Sequence, residues 1–365
     1  MNRLLSHGLT LVGAIGLLAT ACSPAATGGA TTAPAATTAA ATTAAPTPAP
    51  TAAPLNVVFI PKQVNNPYFD VAAKGGQKAA TELNGKFSQV GPQNANAAEQ
   101  VPFIQTATTQ KVSAIVISAD DKDAIAPALK AAMTAGIKVV GYDSSPAVGA
   151  YNVFVNQADT KGIGLGLAQM ACDIAPTCTG DIAVLSASAT ATNQNAWIEA
   201  MKGNLSSDAK FKSLKLVDVV FGNDDPTVST TQAQALLQKY PNLKVIIAPT
   251  TVGIVAAAQV IEQAKNTTTK VTGLGTPKGM QAYVKTGTSP EFALWNVTDL
   301  GYLAYQVAAK LVSGQIKGTP GETFSIPSLN NGAAYTIGAD SVVILGPPFV
   351  FNKDNIDKYV TEFGF

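Results

Sequence analysis

Leu55-Asn-Val-Val-Phe-Ile60, followed by Pro61-Lys62 and then by Asn66-Pro-Tyr-Phe69, decides the fold class. The first six residues form a short, mostly apolar run of β-branched and aromatic type, the pattern of a strand buried on both faces. From Tyr68 the apolar residues recur at helical spacing as far as Leu83. A buried strand followed at once by an amphipathic helix is the repeating unit of an α/β sheet, and here it repeats. Apolar runs at Ala114–Ile117 and Ile137–Val140 alternate with helical windows at Ala97–Gln110 and Asp123–Ala135, the last closed by Gly136 in the usual C-terminal position. After residue 157 the rhythm restarts. Ile182–Leu185, Leu214–Val219, Val245–Ile247, Val271–Gly273 and Phe292–Leu294 alternate with helices near Asn193–Leu205, Val228–Gln238, Val252–Gln263 and Lys278–Lys285. Such crossovers are right-handed. The expected fold class is therefore α/β: two doubly wound parallel-sheet lobes that close on a ligand between them.

In sheets of this kind the ligand sits outside the carboxyl ends of the strands. That rule selects Lys62–Phe69, Asp143-Ser144-Ser145, Thr190–Asn195, Thr250-Thr251, Thr276 and Trp295-Asn296. These are donors, acceptors and flat apolar faces, the chemistry that recognises a polyol. Each residue also has a plainer role: Tyr68 or Phe69 as core, Asp143 as a turn former, Asn193 as a helix cap, Trp295 as lobe packing and Lys62 as a solvated charge. Gly162-Ile-Gly-Leu-Gly166 falls within a helical window without dinucleotide-binding spacing, so it suggests helix packing. Asp120, Asp121 and Asp123 suit a helix N-terminus better than calcium.

Charge narrows the function classes. The 365 residues carry a formal charge of +1, with no clustered basic face for nucleic acid. The only His is His7 and the only Arg is Arg3. Both lie in a segment with a positive start, an apolar run from Leu9 to Leu18 and small residues before Cys22, the layout of a secretory signal. That run is shorter than the roughly 20 residues a membrane span needs. Its removal leaves no His or Arg, which excludes a Ser-His-Asp triad, a His-ligated zinc site and an arginine finger. It also favours a neutral ligand, because Arg is the preferred bidentate partner of anions. Residues 23–54 contain only Ser, Pro, Ala, Thr and Gly, a composition with nothing to bury, read as a tether. A glycosylated stalk is compatible with it. Cys172 and Cys178, left over in an exported chain, are expected to form a disulfide. No cofactor or metal is implied.

Leu18-Ala-Thr-Ala-Cys22 resembles a bacterial lipobox, which implies a lipid on Cys22 and an anchor on the outer face of the cytoplasmic membrane. Residues 55–365 resemble the type I periplasmic sugar-binding proteins of bacterial ABC importers. Asn66-Pro-Tyr-Phe69 is similar to the start of the ribose-binding branch. Phe154-Val-Asn-Gln157, Thr192-Asn-Gln-Asn-Ala-Trp-Ile-Glu-Ala-Met201, Ala248-Pro-Thr-Thr-Val-Gly253 and Gly273-Leu-Gly-Thr-Pro277 are similar to the rhamnose-binding and autoinducer-2-receptor subgroup. So are Phe292-Ala-Leu-Trp-Asn296 and Leu345-Gly-Pro-Pro-Phe-Val-Phe-Asn-Lys-Asp-Asn-Ile356.

The autoinducer-2 pattern is matched at Lys62, Asp143, Gln194 and Pro249, but Asn193 stands for an Asp and Thr251 for an Ala. Both departures agree with the rhamnose type. The resemblance implies a monomeric solute-binding protein, not an enzyme, that hands a rhamnose-like deoxysugar to an ABC permease. An autoinducer-2-type signal receptor is the alternative. A glycosidase needs two carboxylates, and only Asp143 is placed in the cleft. The implied ligand residues are Lys62, Asn66, Tyr68, Phe69, Asp143, Asn193, Gln194, Pro249, Thr250, Thr251, Trp295 and Asn296. Three crossings, near 157, 296 and 325, form the hinge. They divide the chain into a signal at 1–22, a tether at 23–54, an N-terminal lobe of 55–157 with 297–324, and a C-terminal lobe of 158–296 with 325–365.

Overall fold

A computed structural model describes Pro54–Phe365, together with the isolated Gly29. The expected signal, the expected lipid anchor at Cys22 and nearly all of the expected tether fall outside the described residues. Among the described residues no helix is long and apolar enough to cross a membrane.

The first half runs β1 (Asn56–Ile60), α1 (Pro67–Glu82), β2 (Lys86–Gln89), α2 (Ala97–Thr109), β3 (Ala114–Ile117), α3 (Ala126–Thr134), β4 (Lys138–Tyr142) and β5 (Val153–Asn156). The chain then enters α4 (Thr160–Ile174), β6 (Gly180–Ser186), α5 (Thr192–Ser207), β7 (Leu214–Phe221), α6 (Pro226–Lys239) and β8 (Val245–Ala248). α7 (Thr251–Gln263), β9 (Lys270–Gly273), α8 (Pro277–Thr286) and β10 (Glu291–Leu294) complete that run. Last come α9 (Val297–Val312), β11 (Thr323–Phe324), β12 (Tyr335–Thr336), β13 (Val342–Ile344), β14 (Phe349–Asn352) and α10 (Ile356–Phe363).

One parallel sheet has the order β13-β5-β4-β3-β1-β2, and a second has the order β7-β6-β8-β9. β10 pairs antiparallel with β14, and a bridge from Leu274 to Ala293 joins that pair to the second sheet. The central strands β1, β3, β4, β6 and β8 are almost wholly buried, as their continuous apolar runs require. Helix starts are fixed by side chains: Asn66 accepts from the Tyr68 N–H, with Pro67 opening α1, and Asn96 accepts from the Ala98 N–H of α2.

The last crossing differs from the expected one. β13 pairs in parallel with β5, Val342 opposite Phe154, and Tyr151 donates its hydroxyl to the Asp340 carbonyl at 3.0 Å. Residues 325–344 therefore belong with the first lobe and not the second, because β13 satisfies the open edge of β5. The chain changes lobes at Leu345-Gly-Pro-Pro348, just before β14 joins β10. The other passages lie between β5 and α4 and between β10 and α9.

α9 returns to the first lobe and lies against α1 through two glycines. A Cβ at Gly75 would stand 1.9 Å from the Thr298 carbonyl oxygen, and one at Gly301 would stand 1.9 Å from that of Ala72. The Gly162–Gly166 run packs a helix too, since a Cβ on Gly164 would meet Ala200 of α5 at 2.5 Å. Cys172 of α4 is joined to Cys178 by a disulfide.

Candidate functional site

The carboxyl ends of both sheets face one another across the cleft and bring together side chains far apart in sequence. From the first lobe, Lys62 and Gln63 follow β1, Tyr68 and Phe69 sit in the first turn of α1, and Asp143 follows β4. From the second, Asn193 and Gln194 open α5, Asp224 follows β7, and Pro249 and Thr250 follow β8. Trp295 lies on the crossing between β10 and α9.

Asp143 is the centre of the first-lobe wall. Its carboxylate accepts from the Ser118 hydroxyl at 2.7 Å and the Tyr68 hydroxyl at 3.1 Å, and lies 3.6 Å from the Lys62 ammonium. Trp295 Nε1 donates to the Tyr68 oxygen at 3.0 Å, which fixes the phenol's orientation. Burial, reinforced by the charge of Asp143, holds the Tyr68 hydroxyl well above the usual tyrosine range, so it stays a neutral donor. Asp143 has a left-handed φ of 58°, as do Asn65 at 63°, Asn223 at 55° and Asp224 at 50°. Asn and Asp tolerate that region best among residues with a side chain, so the turns around the cleft explain these residue types as much as their polarity does.

The second-lobe wall is held by its own bonds. The Gln194 side-chain oxygen Oε1 accepts from the Ser186 hydroxyl and the Ala187 N–H, both at 2.7 Å, and the Thr250 hydroxyl donates to the Asp224 carboxylate. Further hydrogen bonds among the described residues bridge the lobes. Lys62 donates to Asn193 Oδ1 at 3.1 Å, Asn193 Nδ2 faces Asp143 Oδ1 at 3.3 Å, and Gln63 Nε2 donates to the Asp224 carbonyl at 3.2 Å. Beside them Tyr68, Trp295 and Trp197 form an edge-to-face series with centroid separations of 6.2 and 5.9 Å. The space enclosed is about 40 Å³.

Of the residues selected from sequence, Lys62, Asn66, Tyr68, Phe69, Asp143, Asn193, Gln194, Pro249, Thr250, Thr251 and Trp295 all line this one pocket. Asn296 does not. It caps α9 instead, accepting from the Asp299 N–H at 3.2 Å. Asp224, Trp197, Leu274 and Leu294 line the pocket too and were missed. Asp224 and Leu274 follow strands, so the same strand-end rule finds them once applied to β7 and β9. Trp197 lies one helical turn beyond Asn193, on the same face.

Asp120 is a correction. It does not serve the start of α3; that turn is held by Asp121, which accepts from the N–H groups of Asp123 and Ala124. Asp120 is buried after β3, with one carboxylate oxygen unpaired. Burial pushes its carboxyl up to about 8, the nearby Asp224 adds to the rise, and Lys62 opposes it. Burial also raises Asp224, against Lys62 and the Thr250 hydroxyl. Gln157, wholly buried after β5, has neither amide atom paired.

These lobes, crossings and facing strand ends define a solute-binding protein of the type I periplasmic class. The chain belongs to the periplasmic binding protein domain family, whose model matches residues 57–316, and within it to the sugar ABC-transporter solute-binding proteins. A solute-binding protein from Clostridium phytofermentas with bound L-rhamnose is 38% identical, with a TM-score of 0.82 over 86% of this chain and 100% of that one. A sugar ABC transporter protein from Actinomyces odontolyticus is 43% identical, with a TM-score of 0.67 over 83% of this chain and 96% of its own. LsrB from Clostridium saccharobutylicum in complex with AI-2 is 27% identical, with a TM-score of 0.76 over 83% and 99%. The family is one of binding proteins, and it places the chain outside the cytoplasm. Asp224 joins Asp143 as a second acid in the pocket, so the number of carboxylates does not by itself exclude glycoside hydrolysis. The family itself is one of non-enzymatic transport components.

Proposed function

We propose that this chain is the binding component of an ABC importer and that it captures a neutral deoxyhexose, L-rhamnose or a near relative, between its lobes for delivery to a membrane permease. The observation that carries the reading is the pocket lining. Lys62 stands among acids, amides, hydroxyls and four aromatic side chains, with no second cation in the lining to attract a sugar acid or phosphate. Asn193 can donate and accept at once, which suits a ligand presenting both hydroxyl protons and lone pairs. The 38% identical relative with L-rhamnose bound supports the same choice. Ligand pockets measure about 300–1,000 Å³, so a pyranose enters this one only as the lobes part and the Lys62–Asn193 contact yields.

A second reading, a receptor for the autoinducer-2 signal, is favoured by Lys62, Asp143, Gln194 and Pro249, and by the LsrB neighbour. Asn193 and Thr251 weigh against it. The two are separated by a thermal-shift panel of neutral sugars and autoinducer-2. At about 100 times its dissociation constant, the cognate ligand stabilises by about 2.7 kcal/mol.

Lipidation of Cys22, with residues 23–54 as the tether and a monomeric binding unit beyond it, completes the proposal. Cys22→Ser moves the protein from the membrane fraction to the soluble fraction with sugar affinity unchanged. A processed Cys22→Ser protein that still pellets with membranes removes the anchor from the account.

A further inference from the structure

Next to the sugar pocket lies a second, larger space of about 580 Å³ that the reading of the inner pocket does not use. Its walls come from the segments after β1 and β2 in the first lobe and after β7 in the second. β2 and β7 are the outer strands of their sheets, at the far end from β13, β10 and β14, where the chain crosses between lobes. The space is therefore the mouth of the cleft, opposite the hinge. It shares Asn66 and Asp224 with the inner pocket, so the two are neighbours through common walls.

The lining of the mouth is dominated by amides. Gln63, Asn65, Gln93 and Asn94 face it from the first lobe and Asn223 from the second, and no Lys or aromatic residue contributes. Some of these amides are held by the protein: Asn65 donates to Gln93 at 2.7 Å, and Gln63 donates to the Asp224 carbonyl. The side chains of Asn94 and Asn223 make no hydrogen bond to other described residues, and both are exposed. An amide offers donors and an acceptor without charge, so such a wall matches a ring of hydroxyls and gives no purchase to an acidic group.

We infer that the mouth is a second saccharide subsite, so that the ligand class includes a neutral disaccharide or glycoside whose terminal unit fills the inner pocket and whose next ring meets Asn94 and Asn223. This rests on the sugar reading of the inner pocket and extends it outward. The way from the inner pocket to the mouth runs past the Gln63–Asp224 hydrogen bond, which opens as the lobes part. A substituent leaving the inner sugar toward the mouth passes between Asn66 and Asp224.

The test uses the whole binding unit and calorimetric titration with L-rhamnose, methyl α-L-rhamnopyranoside, and two rhamnosyl-glucoses that differ in linkage, rutinose and neohesperidose. At least one disaccharide is expected to bind about tenfold tighter than the methyl glycoside, the yield of one or two net hydrogen bonds. Asn94→Ala, and Asn223→Gly, which keeps the left-handed backbone free of strain, remove that gain and leave L-rhamnose binding unchanged. If L-rhamnose binds but both disaccharides bind no better than the methyl glycoside, or are excluded, the mouth is a solvent channel and the inference is overturned while the inner pocket stands. An equal loss for L-rhamnose and disaccharide in the two variants overturns it as well. Failure of every sugar to bind removes both readings together.

Discussion

On the first-lobe wall of the cleft, Asp143 is held by donors from its own lobe, Ser118 and Tyr68, and stands beside the buried Lys62. On the second-lobe wall the amides and hydroxyls are neutral, and the one acid, Asp224, is tied to Thr250. Asn193 alone reaches over to touch both Lys62 and Asp143. The first wall is a charged cradle that exists whether or not the lobes meet. The second completes it, and the bonds of Asn193 depend on closure, as does the Gln63–Asp224 bond nearer the mouth. Preorganising one wall and closing the other lets affinity depend on ligand hydroxyls that satisfy both sides at once.

The largest effect expected from a single change is at the centre of the charged wall. Asp143→Asn leaves the Lys62 ammonium with a neutral neighbour and turns one acceptor into a donor facing other donors. Breaking a buried, hydrogen-bonded charge pair of this kind costs about 2–5 kcal/mol of binding free energy, read by titration with the cognate sugar. An affinity within about threefold of the native protein's, a change below about 1 kcal/mol, would show that the cradle does not hold the ligand.

Asn193→Asp comes next. It replaces the donor that lies 3.3 Å from Asp143 with an acceptor, so two carboxylates face each other, although Lys62 at 3.1 Å offsets part of the repulsion. We expect a loss of about 1–3 kcal/mol, the usual cost of an unpaired buried polar group, and a relative gain for autoinducer-2 over the sugar. If affinity and ranking stay as they were, Asn193 is not the residue that couples the walls.

Asp120→Asn acts beside the pocket and not in it, so its effect on affinity is the smallest, and stability is the better readout. The folded carboxyl stands at about 8 against an ordinary 3.8. Between those values the folded protein binds a proton that the unfolded chain does not. Stability is therefore fully present below about pH 4 and is lost as the pH rises through about 8, with a slope of at most about 1.4 kcal/mol per pH unit. Denaturant midpoints of the native protein should fall from pH 5 to pH 8 more steeply than those of Asp120→Asn. Parallel profiles would mean that Asp120 is not held protonated by its surroundings.

The sheets were legible because their central strands are buried on both faces and so spell continuous apolar runs, Val57-Val-Phe-Ile60 and Ile115-Val-Ile117 among them. β2, Lys86-Phe-Ser-Gln89, is an outer strand with alternating exposure and left no such run. β13 was assigned to the wrong lobe because Val342–Ile344 is equally apolar against either sheet; only backbone pairing with β5 decides it. In the site, the strand-end rule found most of the first wall because Lys62 and Asp143 directly follow apolar runs. It missed Asp224 because β7, Leu214–Phe221, is half-buried and extends two residues past the apparent end of its run, at Val219. Asp120 is not distinguishable in sequence from its neighbour Asp121, whose carboxylate does hold the turn before α3. Asn296 caps α9 because it stands immediately before the helix, where a short amide side chain reaches the helix's first N–H groups.

Whether the charged cradle and the amide wall close on a neutral deoxyhexose is decided by calorimetric titration of the native protein with L-rhamnose against autoinducer-2, ribose and glucose. Saturable one-to-one binding is expected, with L-rhamnose or a near relative ranked first. Tightest binding of autoinducer-2, or no heat from any deoxyhexose, would contradict it.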